Sequence, residues 1–122
     1  MRVVVTGSRK WARHNKVYSE LSRYFFDHGP FHLIHGACAT GADALAEQWF
    51  QVAGQYLGCT IERFPAAWET RGKAAGPERN WRMVHHGVPD LVLAFPLPEG
   101  RGTQHTIKLA REAGIEVKVI ER

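Results

Sequence analysis

Residues 3–8 read Val-Val-Val-Thr-Gly-Ser, a run of β-branched and apolar residues that ends at a glycine. A short run of this kind is typical of a buried β-strand that closes in a tight turn. Similar runs occur at residues 33–34, 60–64, 90–95 and 115–120. The sequence therefore predicts five short strands, separated by segments that are long enough for helices.

The segments between the strands carry the periodicity of amphipathic helices. Apolar side chains at positions 17, 21, 24 and 25 share one helical face, with Asn15 predicted as the N-cap and Gly29 as the end. Residues 65–76 are polar and contain glycine, and they are predicted to form a long loop. Further helices are predicted between Thr40 and Gly54, from Pro77 to about His86, and from about Gln104 to Ala113 after an N-cap at Thr103.

This alternation of strands and helices defines the fold class. Strands joined by helices pair in parallel through right-handed crossovers, so helices cover both faces of the sheet. We therefore predict a single α/β domain over residues 1–122, a Rossmann-like three-layer sandwich with strand order 3-2-1-4-5. In such a sheet, ligands bind at the carboxyl ends of the strands where the order reverses.

The charge balance favours an anionic partner. Sixteen Lys and Arg residues stand against twelve Asp and Glu residues in this chain of 122, which gives a net charge of +4. The excess suits a phosphate-binding cleft or a surface for single-stranded nucleic acid. Because the aromatic residues are not interleaved with cations along one strand or helix, nucleic acid is the less favoured of the two.

Composition also bears on location and cofactors. No apolar run reaches the roughly 18 residues that cross a bilayer, and the first residues lead directly into a strand, so we expect a cytoplasmic protein without membrane contact. Cys38 and Cys59 have no metal-ligand spacing and are expected to be free thiols. The seven histidines form no ligand pattern, so neither a metal nor a cofactor is expected.

The loop after the first strand supplies groups that suit a phosphate and a base. It contains the flexible Gly7, the hydroxyl of Ser8, the guanidinium of Arg9 and the indole of Trp11. Its position beside the predicted reversal of strand order favours contact with a ligand. The alternative is a glycine turn with solvated charges and a Trp11 side chain that packs on the first helix.

The loop after the second strand is built from small residues and opens a helix. Gly36, Ala37 and Gly41 would let the backbone approach a phosphate, and the positive end of the helix attracts an anion. Asp43 either caps this helix together with Thr40, accepts a hydrogen bond from a ribose hydroxyl, or orients Arg9.

The loop after the fourth strand, Gly100-Arg101-Gly102-Thr103, is a second glycine loop that opens a helix. Two such loops at one edge of the sheet predict phosphate contacts from both. The long segment before the fourth strand adds Trp68 as a stacking plane, with Lys73 and Arg79 as phosphate donors. His105 follows one helical turn later, and we expect it to face solvent.

Several of these motifs occur together in one known group of proteins. In their order along the chain they resemble the YspA branch of the SLOG superfamily, which is related to DprA and to the lonely guy enzymes. The resemblance implies a Rossmann-like fold, a nucleotide-related ligand and a homodimer as an open alternative to the monomer. The motifs are Thr6-Gly7-Ser8-Arg9 with Trp11, the loop 36–43, Pro65-Ala66-Ala67-Trp68, the segment 72–80 and Gly100-Arg101-Gly102-Thr103.

Lonely guy enzymes hydrolyse the N-glycosidic bond of nucleoside 5′-monophosphates, using an Arg-Lys pair and glutamates that follow a glycine-rich loop. Arg79 matches the arginine, but Asn80 replaces the lysine, and residues 104–106 contain no glutamate. Because this chemistry needs a carboxylate near the ribose, Asp43 and Glu99 join Arg79 as catalytic candidates. We therefore expect a domain that binds or senses a nucleotide, with an N-glycosidic hydrolase as the alternative.

Overall fold

The computed structural model describes residues 1–122 and contains a five-stranded sheet in which all strands are parallel. The spatial order is β3-β2-β1-β4-β5, which confirms the predicted α/β, Rossmann-like sheet. The order reverses between β1 and β4, the position at which sheets of this kind bind ligands. The strands are β1 (Arg2–Gly7), β2 (His32–His35), β3 (Thr60–Arg63), β4 (Leu91–Phe95) and β5 (Glu116–Val119).

Five α-helices connect the strands and cover the sheet. No helix is both long enough and apolar enough to cross a membrane. Short 3-10 turns lie at Gly54–Leu57 and Gly72–Ala74. The helices are α1 (His14–His28), α2 (Gly41–Val52), α3 (Trp68–Arg71), α4 (Ala75–His85) and α5 (Arg101–Glu112).

The valine run of β1 is buried on both faces of the sheet. Val3 and Val5 join the larger core with Trp49, on the side of α1 and α2. Val4 points the other way and joins the smaller core with Met83, on the side of α4 and α5. Alternation of side chains along a strand explains this division, and it gives the domain its three layers.

Two predicted helix N-caps are wrong. The helix α1 begins at His14, so Asn15 lies inside it, and α5 begins at Arg101, so Thr103 is a buried residue of its first turn. Neither helix has a side-chain cap at its N-terminus. Backbone and tertiary contacts determine the residue at which each of these helices begins. Capping residues in the sequence therefore did not identify the first residue of either helix.

The segment 65–76 is only partly a loop, contrary to the prediction. It contains α3 and a 3-10 turn, and α4 begins at Ala75, ahead of Pro77. Arg71 of α3 forms an ion pair with Glu78 of α4, which ties the two helices together. With only four residues, α3 is too short to show an amphipathic pattern of its own.

Candidate functional site

A cavity of about 630 Å³ opens at the carboxyl ends of β1 and β4. This is the edge of the sheet at which the sequence predicted a ligand site, and the loops after β1 and β4 form much of its wall. The predicted site residues that line it are Gly7, Ser8, Arg9, Asp43, Trp68, Arg79, Asn80, Glu99, Gly100, Arg101, Gly102 and Thr103.

The cavity also contains residues that were not among the predicted site residues. His105, expected to face solvent, lines the cavity instead. Its position one turn into a helix that starts at the cavity was the signal that could have identified it. The other additions are Thr6, Lys10, Cys38, Gly76, Pro77 and Met83.

Trp11, a predicted site residue, lies in the core and does not line the cavity. Its side chain is only 2% exposed, and its ring packs edge-on against Phe95 with 5.4 Å between ring centroids. The indole nitrogen donates a hydrogen bond to the carbonyl oxygen of Arg13. Burial against the core satisfies both the apolar ring and its N–H group, so Trp11 stabilises the fold.

Four further predicted residues do not line the cavity either. Lys73 is exposed in the 3-10 turn after α3. Gly36 is buried and Ala37 is exposed with a positive φ of 59°, and neither lines the cavity. Gly41 has a φ of 76°, and a Cβ atom there would lie 2.5 Å from the Cα atom of Arg9. Its lack of a side chain thus lets two loops approach each other.

Four backbone amides in the segment after β2 have hydrogen-bond partners within the chain. The N–H groups of Gly36 and Cys38 donate to Oδ2 of Asp43, at 3.1 and 3.4 Å. The N–H of Ala37 donates to Nδ1 of His35, and that of Ala42 donates to the carbonyl oxygen of Ser8. These four amides are therefore not available to an anion.

Asp43 holds that loop in place and does not cap α2. Its side chain is 6% exposed, and burial raises the pKa of the carboxyl group above its usual value, although the charge of Arg79 acts in the opposite direction. The carboxyl group nonetheless reaches the cavity wall. The thiol of Cys38 lies beside it and has a raised pKa as well, mainly through burial.

Arg79 and Asn80 form a hydrogen-bonded connection across the cavity floor. The guanidinium of Arg79 donates through Nη1 to the carbonyl oxygen of Gly36 and through Nε to Oδ1 of Asn80. The amide nitrogen of Asn80 lies 3.3 Å from the carbonyl oxygen of Gly102 and 3.2 Å from Nδ1 of His105. Because the amide nitrogen of Asn80 can only donate, Nδ1 of His105 is the acceptor in this contact.

A second set of contacts supports the loop after β2 from the opposite side. The buried ring of His35 lies 2.8 Å from Oε1 of Glu47, which also binds Arg63 through two hydrogen bonds of 2.7 and 2.6 Å. The hydrogen bonds of Arg63 are the largest cause that lowers the pKa of Glu47 to about 2. Nδ1 of His35 accepts a hydrogen bond from the N–H of Ala37. The ring proton therefore lies on Nε2, which donates a hydrogen bond to the carboxylate of Glu47.

The N-terminus of α5 has free amides at the cavity wall. The N–H groups of Gly102 and Thr103 have no hydrogen-bond partner within the chain, and Gly100 provides no side-chain cap. Both residues line the cavity. Free amides and the positive end of the helix dipole together create a binding position for an anion.

Charges in the cavity add to this preference. Its wall carries four cationic side chains, Arg9, Lys10, Arg79 and Arg101, and two carboxylates, Asp43 and Glu99. The difference is 4 − 2 = +2 in favour of positive charge. No group of three or more His, Cys, Asp or Glu side chains comes together to hold a metal ion.

Comparison with known proteins identifies the class. Residues 1–70 match the profile of the YspA, cpYpsA-related SLOG family. The chain therefore belongs to this family, which confirms the resemblance inferred from its motifs. It is also 40% identical over 119 residues to a protein of Mycobacterium phage D29 called Gene 61 protein, a match that covers 95% of this chain and 93% of the phage protein.

Proposed function

We propose that this protein binds or senses a nucleotide or a nucleotide-derived ligand that carries phosphate. The ligand binds in the cavity at the carboxyl ends of β1 and β4. The free N–H groups of Gly102 and Thr103 carry the proposal, because they are unsatisfied donors at the positive end of a twelve-residue helix. A phosphate at this position would accept from both amides and would lie near Arg101.

The electrostatics of the cavity support the same ligand class. Arg9, Lys10 and Arg101 form no ion pair within the chain, so their charge is available to an anion. Arg79 has a different task, since two of its three nitrogens are already bonded to Gly36 and Asn80. Membership of the SLOG family adds support for a nucleotide-related ligand.

The test removes one amide donor without altering charge. Gly102→Pro deletes the N–H group, and proline is tolerated in the first turn of a helix. Gly102→Ala is the matched control, because it keeps the N–H group and a Cβ atom at this position has no neighbour within 4 Å. Both variants and the unmodified protein are titrated with nucleoside mono- and diphosphates, ADP-ribose, NAD and cyclic dinucleotides.

The expected result is a selective loss in Gly102→Pro. A hydrogen bond to a charged group contributes about 1.5–3 kcal/mol, so the Kd of the best ligand should rise about 10- to 150-fold. At about 100 times Kd, that ligand should raise the free energy of unfolding of the unmodified protein by roughly 2.7 kcal/mol. Equal affinities of the two glycine variants, or no stabilisation by any compound, would refute the proposal.

A second candidate function is hydrolysis of a nucleotide N-glycosidic bond, and the position of Asp43 favours it. Its buried carboxyl group lies in the cavity wall with a raised pKa, as a general acid or base requires. Chromatography of each ligand mixture distinguishes the two functions. Release of free base that disappears in Asp43→Asn identifies an enzyme, whereas stabilisation without products identifies a binding domain.

A further inference from the structure

The indole of Trp68 lies at the cavity wall and is exposed. It is 47% exposed, while Trp11 and Trp49 are almost completely buried. The residue lies in α3, whose Arg71 is bound to Glu78 of α4.

Gly76 determines where the indole lies. A Cβ atom at this glycine would be 3.1 Å from Cη2 of the Trp68 ring, so the absence of a side chain lets the indole rest closely on α4. Pro77 and Met83 follow on the same helix and also line the cavity. The cavity therefore has an apolar part on α3 and α4, and a cationic part around the N-terminus of α5.

The guanidinium of Arg9 lies over the indole face of Trp68. Its Cζ atom lies 5.2 Å from the centroid of the Trp68 ring. Its side chain forms no ion pair with any carboxylate, and the indole is the partner that the fold provides for it. A guanidinium that contacts only a ring face can move away at little cost, because its contact is exposed to water.

We propose that Arg9 and Trp68 form a clamp for a planar aromatic base, so that the site selects base-bearing phosphates over base-free sugar phosphates. The inference rests on the proposed function, because the phosphate at α5 places the rest of the ligand in this part of the cavity. The base takes the indole face, and the guanidinium covers its other side. Two stacked layers at about 3.5–4 Å each need roughly 7–8 Å, so Arg9 moves outward by about 2–3 Å.

The experiment compares ligands that differ only in the base. Calorimetric titrations use AMP, GMP, CMP and UMP, with ribose 5-phosphate as the base-free probe. The variants are Trp68→Leu, which removes the stacking surface, and Trp68→Phe, which retains an aromatic ring. Trp81→Leu is the matched control, because Trp81 is 46% exposed on α4 and lies outside the cavity.

In Trp68→Leu the Kd of the best nucleotide should rise about 5- to 150-fold, the range that loss of one base–aromatic stack produces. The Kd of ribose 5-phosphate should stay unchanged, and Trp68→Phe should retain most of the preference for a base. Arg9→Lys keeps the charge but loses the flat guanidinium, so it should weaken nucleotide binding more than sugar phosphate binding.

The possible outcomes separate this inference from the proposed function. If the unmodified protein binds ribose 5-phosphate as tightly as every nucleotide, or if Trp68→Leu and Trp81→Leu behave alike, the clamp is refuted while phosphate binding stands. If none of the phosphate compounds binds, the proposed function fails and the clamp fails with it. A preference for nucleotides that is lost only in the Trp68 and Arg9 variants supports both.

Discussion

Glu47 links acid stability to the support of the site, and Glu47→Gln tests that link. The carboxylate binds Arg63 through two hydrogen bonds and the buried His35 through a third. Its pKa falls from 4.5 to about 2 in the folded protein. At about 1.36 kcal/mol per unit, this difference corresponds to at most about 3.4 kcal/mol. Screening of a partly exposed pair reduces the expected contribution to about 1–2 kcal/mol.

The sign of the effect follows from the lowered pKa of Glu47. Because the folded protein favours the ionised form, the stabilisation is fully present above pH 4.5 and is lost as the pH falls towards 2. Glutamine cannot ionise, so the variant should be less stable than the unmodified protein at pH 7, and the difference should vanish near pH 2. Urea unfolding curves measured across this pH range give the free energy of unfolding for both proteins.

Glu78→Gln provides the control for this prediction. Glu78 also pairs with an arginine that lowers its pKa, but the pair is fully exposed on α3 and α4, so its loss should change stability little at any pH. A Glu47→Gln protein that is as stable as the unmodified one at pH 7 would contradict the reasoning. So would a difference in stability that does not depend on pH.

Two further substitutions test the packing and the charge of the site. Gly7→Ala places a Cβ atom 2.5 Å from that of Ala42 and 2.8 Å from the carbonyl oxygen of Phe95. Urea unfolding should therefore show a free energy of unfolding lower by about 1–3 kcal/mol. Gly102→Ala is the control and should show almost no loss, because its Cβ atom has no neighbour within 4 Å. Equal stabilities of these two variants would refute the close packing. Asp43→Asn should gain stability relative to the unmodified protein as the pH rises above 3.8, because burial raises the pKa of Asp43 and its ionised form destabilises the fold. A stability difference that is the same on both sides of that pH would disprove the raised pKa.

The topology could be predicted from the sequence because it depends on local periodicity. Short apolar runs predicted the five strands, and helical spacing predicted the helices between them. General rules of chain connection then predicted the order of the strands in the sheet. The first residues of α1 and α5 were harder to predict, because neither N-cap residue, Arg13 or Gly100, provides a side-chain cap. The turn of α3 was missed because its stabilising contacts, such as Arg71 with Glu78, join side chains seven positions apart.

The site was predictable in position and only partly in its members. Trp11 and Trp68 have the same chemistry in sequence, yet one lies in the core and the other at the cavity. Which indole is buried depends on Phe95, 84 positions away from Trp11, and no periodicity reports such a contact. The partners of the amides in the loop after β2 are likewise set by the folded arrangement of Asp43 and His35.

The two glycine loops have the same sequence character but differ in their relation to the cavity. In the loop after β2, four amides already have partners in Asp43, His35 and Ser8, and the glycines of this loop do not line the cavity. The loop after β4 leaves the amides of Gly102 and Thr103 unpaired at the wall of a cationic cavity. Unpaired amides at the start of a helix are the arrangement expected of a preorganised anion site, because a ligand then supplies missing hydrogen bonds without reordering the backbone.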